Sequence, residues 1–140
     1  MAATERGTDI TVPTFLKILK RAAEYDEHIM LGGGEPTIHP QFRVLLGLAI
    51  AHATGEMPIS IVTNGKHTEH ALLLASLAKR KVIQAELSQD EFHEPIDNCV
   101  VDAFTGIADE NRCSRWLPGI RNVTSRHDGT HKEPVILAGR

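Results

Sequence analysis

The chain has 140 residues, 41% hydrophobic and 24% charged, with 15 basic against 18 acidic side chains and a formal net charge of −3. That length suits one domain with a real hydrophobic core and is short for two. The charge balance lacks the clustered basic surface that drives phosphate binding, so nucleic acid is not expected as a partner. The longest apolar run, ALLLASLA, is far too short to span a membrane.

Residues 1–10, with charges of both signs and no apolar leader core, read as an N-terminal segment ahead of a single domain over 11–140. A cytoplasmic location is expected. The stretch TVPTFLKILKRAAEY predicts a first helix, capped by Thr11 or Thr14, with Pro13 in its first turn and Phe15, Ile18, Leu19 and Ala22 as its apolar stripe. HIMLG reads as a short buried strand running into glycines. QFRVLLGLAIAHATG predicts a second helix, its core face Phe42, Leu45, Leu46, Ala49 and Ile50, stopped by Gly55.

PISIVTNG then reads as a strand ending at Asn64-Gly65, and KHTEHALLLASLAKRK as a helix opened by Thr68. The basic triplet at 79–81 closes that helix, where cations offset the helix dipole. VIQAELSQD is the next strand. EPIDNCVVDAFTGIADENR predicts a fourth helix, with Val100, Val101, Phe104, Ile107 and Ala108 inward, and IRNVTSR and EPVILAG read as two last strands. Strand and helix alternate, which argues for βα units around a mainly parallel sheet. In such sheets ligands sit beyond the carboxyl ends of the strands. GGGEPTIHP, TNGK and SQDEFHEP each follow a strand, so three polar clusters share that rim.

The remaining chemistry-bearing residues are sparse. Cys99 and Cys113, placed on one helix, stand about 21 Å apart along its axis, whereas a disulfide needs Cα atoms within roughly 7 Å. Eight histidines are many for this length. His127 and His131 are separated by Gly129 and Thr130, and His93 with Glu94 and Asp97 offers one or two ligands, so no set reaches three at a recognised metal spacing. His39, before Pro40, is expected to shape the turn into the second helix. Glu35 and Asp90 are a candidate acid–base pair, with plain loop capping as the commoner use of such carboxylates. Trp116 is expected as a core lid or a partner anchor.

GGGEPTIHPQF resembles the Gly-Gly-Glu-Pro segment that follows the second strand of radical S-adenosylmethionine enzymes. IVTNGK is similar to that family's third strand with its Thr-Asn-Gly end, AELSQDEFHEPID to its fourth, and the segment from Ile120 onward to its later strands. The resemblance implies an α/β fold, a partial TIM-like (β/α) barrel with the first strand and cluster loop missing or reduced. It implies that the Gly33, Gly34 and Glu35 backbone lies against the methionyl end of S-adenosylmethionine, with Asn64, Ser88 and Asp90 on the same rim. Glycine suits such a position because it lacks Cβ and admits close approach.

Family members also carry a Cys-x-x-x-Cys-x-x-Cys loop before the first helix, whose thiolates hold a [4Fe–4S] cluster. Here about ten residues precede the first helix and none is cysteine; the first strand is expected to be absent unless DITV is a remnant of it. The expectation is a non-catalytic, radical-SAM-like domain that binds another protein or regulates it, for instance as an inhibitor. No cofactor is expected on this chain alone. Its partner would be another protein or a second copy, joined through the sheet edge that the missing strand leaves open. The alternatives are the S-adenosylmethionine-binding half of a split enzyme, with the cluster supplied by another chain, and a cluster-free sensor of S-adenosylmethionine or a related nucleotide.

Overall fold

A computed structural model describes residues 8–25, 27–53, 59–88, 94–108 and 135–139. Four α-helices and four strands follow in the order α1 (Val12–Glu24), β1 (Ile29–Gly33), a 3₁₀ turn (Pro36–Ile38), α2 (Phe42–His52), β2 (Ile59–Thr63), α3 (Thr68–Lys79), β3 (Gln84–Leu87), α4 (Asn98–Thr105) and β4 (Val135–Gly139). The sheet order is β3-β2-β1-β4 and every neighbouring pair is parallel. The chain is therefore an α/β protein, and its sheet is consistent with a partial (β/α) barrel.

Helix starts follow local chemistry. Thr11 caps α1, its hydroxyl accepting from the Thr14 amide at 3.4 Å, with Pro13 in the first turn. Residues 8–11 are not a strand, so DITV is no remnant of one; Ile10 instead packs against the core and Thr11 serves the helix. Thr68 does not cap α3. His67 holds the cap position, and the Thr68 hydroxyl donates to Asp97 Oδ2. The fourth helix is shorter than its apolar pattern suggests, because Pro95 precedes it and Gly106 takes the cap after Thr105.

Alternate strand residues divide the sheet into two unlike faces. Ile29, Leu31, Ile59, Ile61 and Ala85 join one apolar cluster with Phe15 and Leu19 of α1, Phe42 and Leu45 of α2, Leu74 and Ala78 of α3, and Val100 and Phe104 of α4. All four helices thus cover the same face. The intervening residues, Met30, Ser60, Val62, Gln84 and Glu86, point to the other. On that face the Ser60 hydroxyl donates to Gln84 Oε1 at 3.0 Å and accepts from His28 Nε2 at 2.8 Å, joining the starts of three strands. Among the described residues the helices lie on one face and the other carries Met30 and Val62 beside Ser60, Gln84 and Glu86, which is consistent with a barrel wall.

The open edge expected beside β1 is not open. β4 pairs with β1 through five residues, from Ile29 with Val135 to Gly33 with Gly139. Among the described residues, the outermost strands are β3 and β4. The segment 120–126, expected as a strand, lies outside the described residues, as does Trp116. No described helix is long and apolar enough to cross a membrane.

The basic triplet closes α3 as expected, with one addition. Lys81 sits at φ 62, its amide donating to the Ala78 carbonyl while the Val82 amide donates to Leu77. This is a Schellman ending, which favours glycine at the left-handed position. Lys81→Gly is expected to raise stability by about 1 kcal/mol in urea unfolding. Burial lowers the His28 pKa below its ordinary value of 6.5, so the unfolded chain takes up a proton first as pH falls. Stability is expected to decline as pH drops from about 6.5 towards the folded value and then to level. His28→Gln should flatten that part of the urea-midpoint profile.

Candidate functional site

The rim is assembled from the carboxyl ends of β1, β2 and β3. β1 runs out through Gly32 and Gly33 into Gly34, and Glu35 then caps the 3₁₀ turn. Its carboxylate does more than cap. Oε1 accepts from the Thr37 amide at 3.1 Å and the Thr37 hydroxyl at 2.5 Å, and reaches across to accept from the Thr63 hydroxyl at 2.8 Å. Oε2 accepts from the Asn64 amide at 2.6 Å. Four donors thus meet one carboxylate, three on Oε1 and one on Oε2, and hydrogen bonds to a charged group are the stronger kind. Thr37 and Thr63 are each only 1% exposed. Glu35 is therefore a clasp between the end of β1 and the end of β2. Asp90, its proposed catalytic partner, lies outside the described residues.

The second loop is shaped by its own side chains. Thr63 Oγ1 accepts from the Gly65 amide at 3.2 Å while donating to Glu35, and Asn64 Oδ1 accepts from the Lys66 amide at 3.0 Å. Gly65 adopts φ 77; a Cβ there would lie 2.7 Å from Leu87 Cδ1 and 2.8 Å from Ile96 Cδ1. Only glycine satisfies both the conformation and the space. The Ser88 amide donates to the Thr63 carbonyl at 2.8 Å, extending the β2–β3 ladder by one residue. Gly33, Gly34, Glu35, Asn64 and Ser88 thus stand on adjoining strand ends, with Gly34 exposed and Asn64 and Ser88 half-buried.

Other candidates resolve into structural roles. Lys66 Nζ lies 2.7 Å from Glu94 Oε2, and its hydrogen bond and charge hold the Glu94 carboxyl below the usual range. With Thr68 bonded to Asp97, both acids near the start of α4 join that segment to α3 rather than pairing as metal ligands. His39 Nε2 donates to the Ile10 carbonyl at 3.1 Å and Nδ1 accepts from the Gln41 amide at 3.0 Å. Both ring nitrogens are engaged in shaping the turn. His93, Cys113, His127 and His131 lie outside the described residues; Cys99 is exposed in the first turn of α4.

Sequence reasoning missed Thr37 and Thr63, the two hydroxyls that make the clasp. The available signal was a threonine directly after Glu-Pro and another directly before Asn-Gly, both positions where hydroxyls bond local backbone.

The family model of the radical SAM superfamily matches residues 2–112. No curated protein and no solved structure matches the chain. The family match takes in all three rim loops and ends before the later strands to which the resemblance had been extended.

Glu35→Ala is expected to cost about 3 kcal/mol, since it strands several buried donors. Glu35→Gln is the sharper variant, because its amide group would face a donor wherever it lies. It is expected to lose roughly 1–2 kcal/mol; urea unfolding of the two variants checks both values.

Proposed function

The chain belongs to the radical SAM superfamily, and from that premise we propose that it is a non-catalytic member, a domain that binds another protein and regulates it. Membership implies S-adenosylmethionine and a [4Fe–4S] cluster in general. The cluster supplies the electron that cleaves the cofactor, so the donor set decides what this chain does alone. Such clusters are held by several cysteine thiolates, and the chain has two cysteines, fourteen residues apart. Among the described residues no three of His, Cys, Asp and Glu gather to hold a metal. These donors do not fit the cluster, and no radical step is derived through it.

The observation that carries the reading is the Glu35 clasp. The motif most suggestive of cofactor binding has a carboxylate that accepts four hydrogen bonds within the fold. That structural use persists whether or not a cofactor is bound. The βα units and their rim then serve as a rigid presentation surface, and β3 and β4, outermost among the described strands, offer backbone to a partner or a second copy.

A second reading rests on exposed Gly34 beside half-buried Asn64 and Ser88. These would accept the methionyl end of S-adenosylmethionine if another chain brought the cluster. In that case Gly33, Gly34, Glu35, Asn64, Ser88 and Asp90 would be the cofactor-binding set. Binding of the cofactor without a cluster, as a sensor, would use the same residues with less hold, since the iron contact is missing.

The test is an anaerobic capture of the tagged chain from its host, followed by iron analysis and an S-adenosylmethionine cleavage assay on the eluate. The expected result is a stoichiometric protein partner, no iron and no cleavage. A cysteine-rich companion with iron and cleavage activity would replace this reading with the split enzyme.

A further inference from the structure

Asn64 and Gly65 form a dipeptide with a reactivity of its own. An asparagine carboxamide lies within reach of the next residue's main-chain nitrogen, and closing that bond gives a five-membered imide. Glycine leaves the nitrogen least shielded, because it carries no Cβ. In the step, the Gly65 nitrogen gives its proton to water and attacks Asn64 Cγ, while the Cγ–Nδ2 bond breaks and ammonia leaves. Water then opens the imide at one of its two carbonyls. Opening at Cγ leaves aspartate; opening at the main-chain carbonyl leaves isoaspartate, whose chain runs on through Cγ. One water is consumed, one ammonia is released, and nothing is oxidised or reduced.

Both reacting groups are engaged in the folded rim. The Gly65 amide donates to Thr63 Oγ1 at 3.2 Å, and Asn64 Oδ1 accepts from the Lys66 amide at 3.0 Å. The Asn64 amide donates in turn to Glu35 Oε2 at 2.6 Å. Thr63 Oγ1 is turned to accept from Gly65 because its own proton goes to Glu35 Oε1 at 2.8 Å. Gly65 sits at φ 77, with side-chain carbons of Leu87, Ile96 and Val100 crowding the place of a Cβ. Attack needs a near-attack geometry, with the carboxamide carbon brought over the Gly65 nitrogen. Moving the carboxamide gives up the bond to Lys66, and turning the Gly65 peptide gives up the bond to Thr63.

We propose that Asn64–Gly65 is a deamidation site kept dormant by the Glu35 clasp, so that Asn64 converts only when the clasp opens. The opening required is local, of the kind that loops reach without global unfolding. Conversion is irreversible, because the ammonia is lost to solvent. Isoaspartate then places one more carbon in the main chain ahead of the Gly65 nitrogen. That amide can no longer meet Thr63 while Gly65 keeps its place against Leu87 and Ile96. The product also brings a new carboxylate close to that of Glu35, since the Asn64 amide already touches it. A transient opening of the rim is thereby made permanent, whatever the rim binds.

Peptide mass spectrometry of the full chain, held in warm buffer at neutral pH, follows the change from amide to acid at Asn64. Conversion is expected to be slow in the folded chain and fast in the chain unfolded by urea. Folded Glu35→Gln should convert about tenfold faster, in step with its larger open population. Ile29→Val, a buried change at the far end of β1, separates local from global opening. Its rate should stay within about twofold of the unaltered chain. Urea midpoints show that both variants are folded. The converted chain, separated by its extra negative charge, should unfold at a lower urea midpoint than the parent. Equal rates in the folded and unfolded chain, no acceleration in Glu35→Gln, equal acceleration in Ile29→Val, or an unchanged midpoint after conversion overturns the proposal.

Discussion

The carboxylate of Glu35 is the interaction on which the arrangement of this rim depends. Parallel strands are joined by long crossovers, so nothing in the ladder itself fixes how the loops at their carboxyl ends lie relative to one another. One side chain supplies that constraint here. It receives an amide and a hydroxyl from its own turn and an amide and a hydroxyl from the next strand end. Because Thr37 and Thr63 are buried, removing the acceptor leaves donors that water cannot reach.

The clasp changes how a sequence motif should be understood. Glycines followed by a glutamate suggest a backbone made bare for a ligand, with a charge to meet it. In this chain the charge turns inward and Gly34 is exposed. A motif whose sequence suggests a ligand can therefore also hold its own fold together. Family membership and the two-cysteine inventory stand side by side: the chain has the family's strand ends and two cysteines fourteen residues apart.

The two faces of the sheet express the same economy. One alternation of strand residues packs against all four helices and forms the apolar core. The other carries His28, Ser60 and Gln84 in a hydrogen-bonded row, with buried Glu86 further along β3. β4 closes the β1 edge in full register, so among the described residues the outermost strands are β3 and β4.

Local patterns in the sequence determined the helices, the first three strands and the rim positions of Gly33, Gly34, Glu35, Asn64 and Ser88. Each rests on periodicity, caps or glycine placement acting within a few residues. Of the apolar stripe expected on α2, for example, Phe42, Leu45, Leu46 and Ala49 are buried and Ile50 is half-buried. The ends of α4 were less legible, because Ile107 and Ala108 extend an apolar pattern past the cap at Gly106. Only the tertiary structure decided that Glu35 joins Thr37 to Thr63, that Thr68 serves Asp97 instead of its own helix, and that β4 lies beside β1. Those contacts link residues 28 to 106 positions apart, apart from the local Thr37 bonds, and a hydrogen bond across that separation leaves no period in the sequence to read.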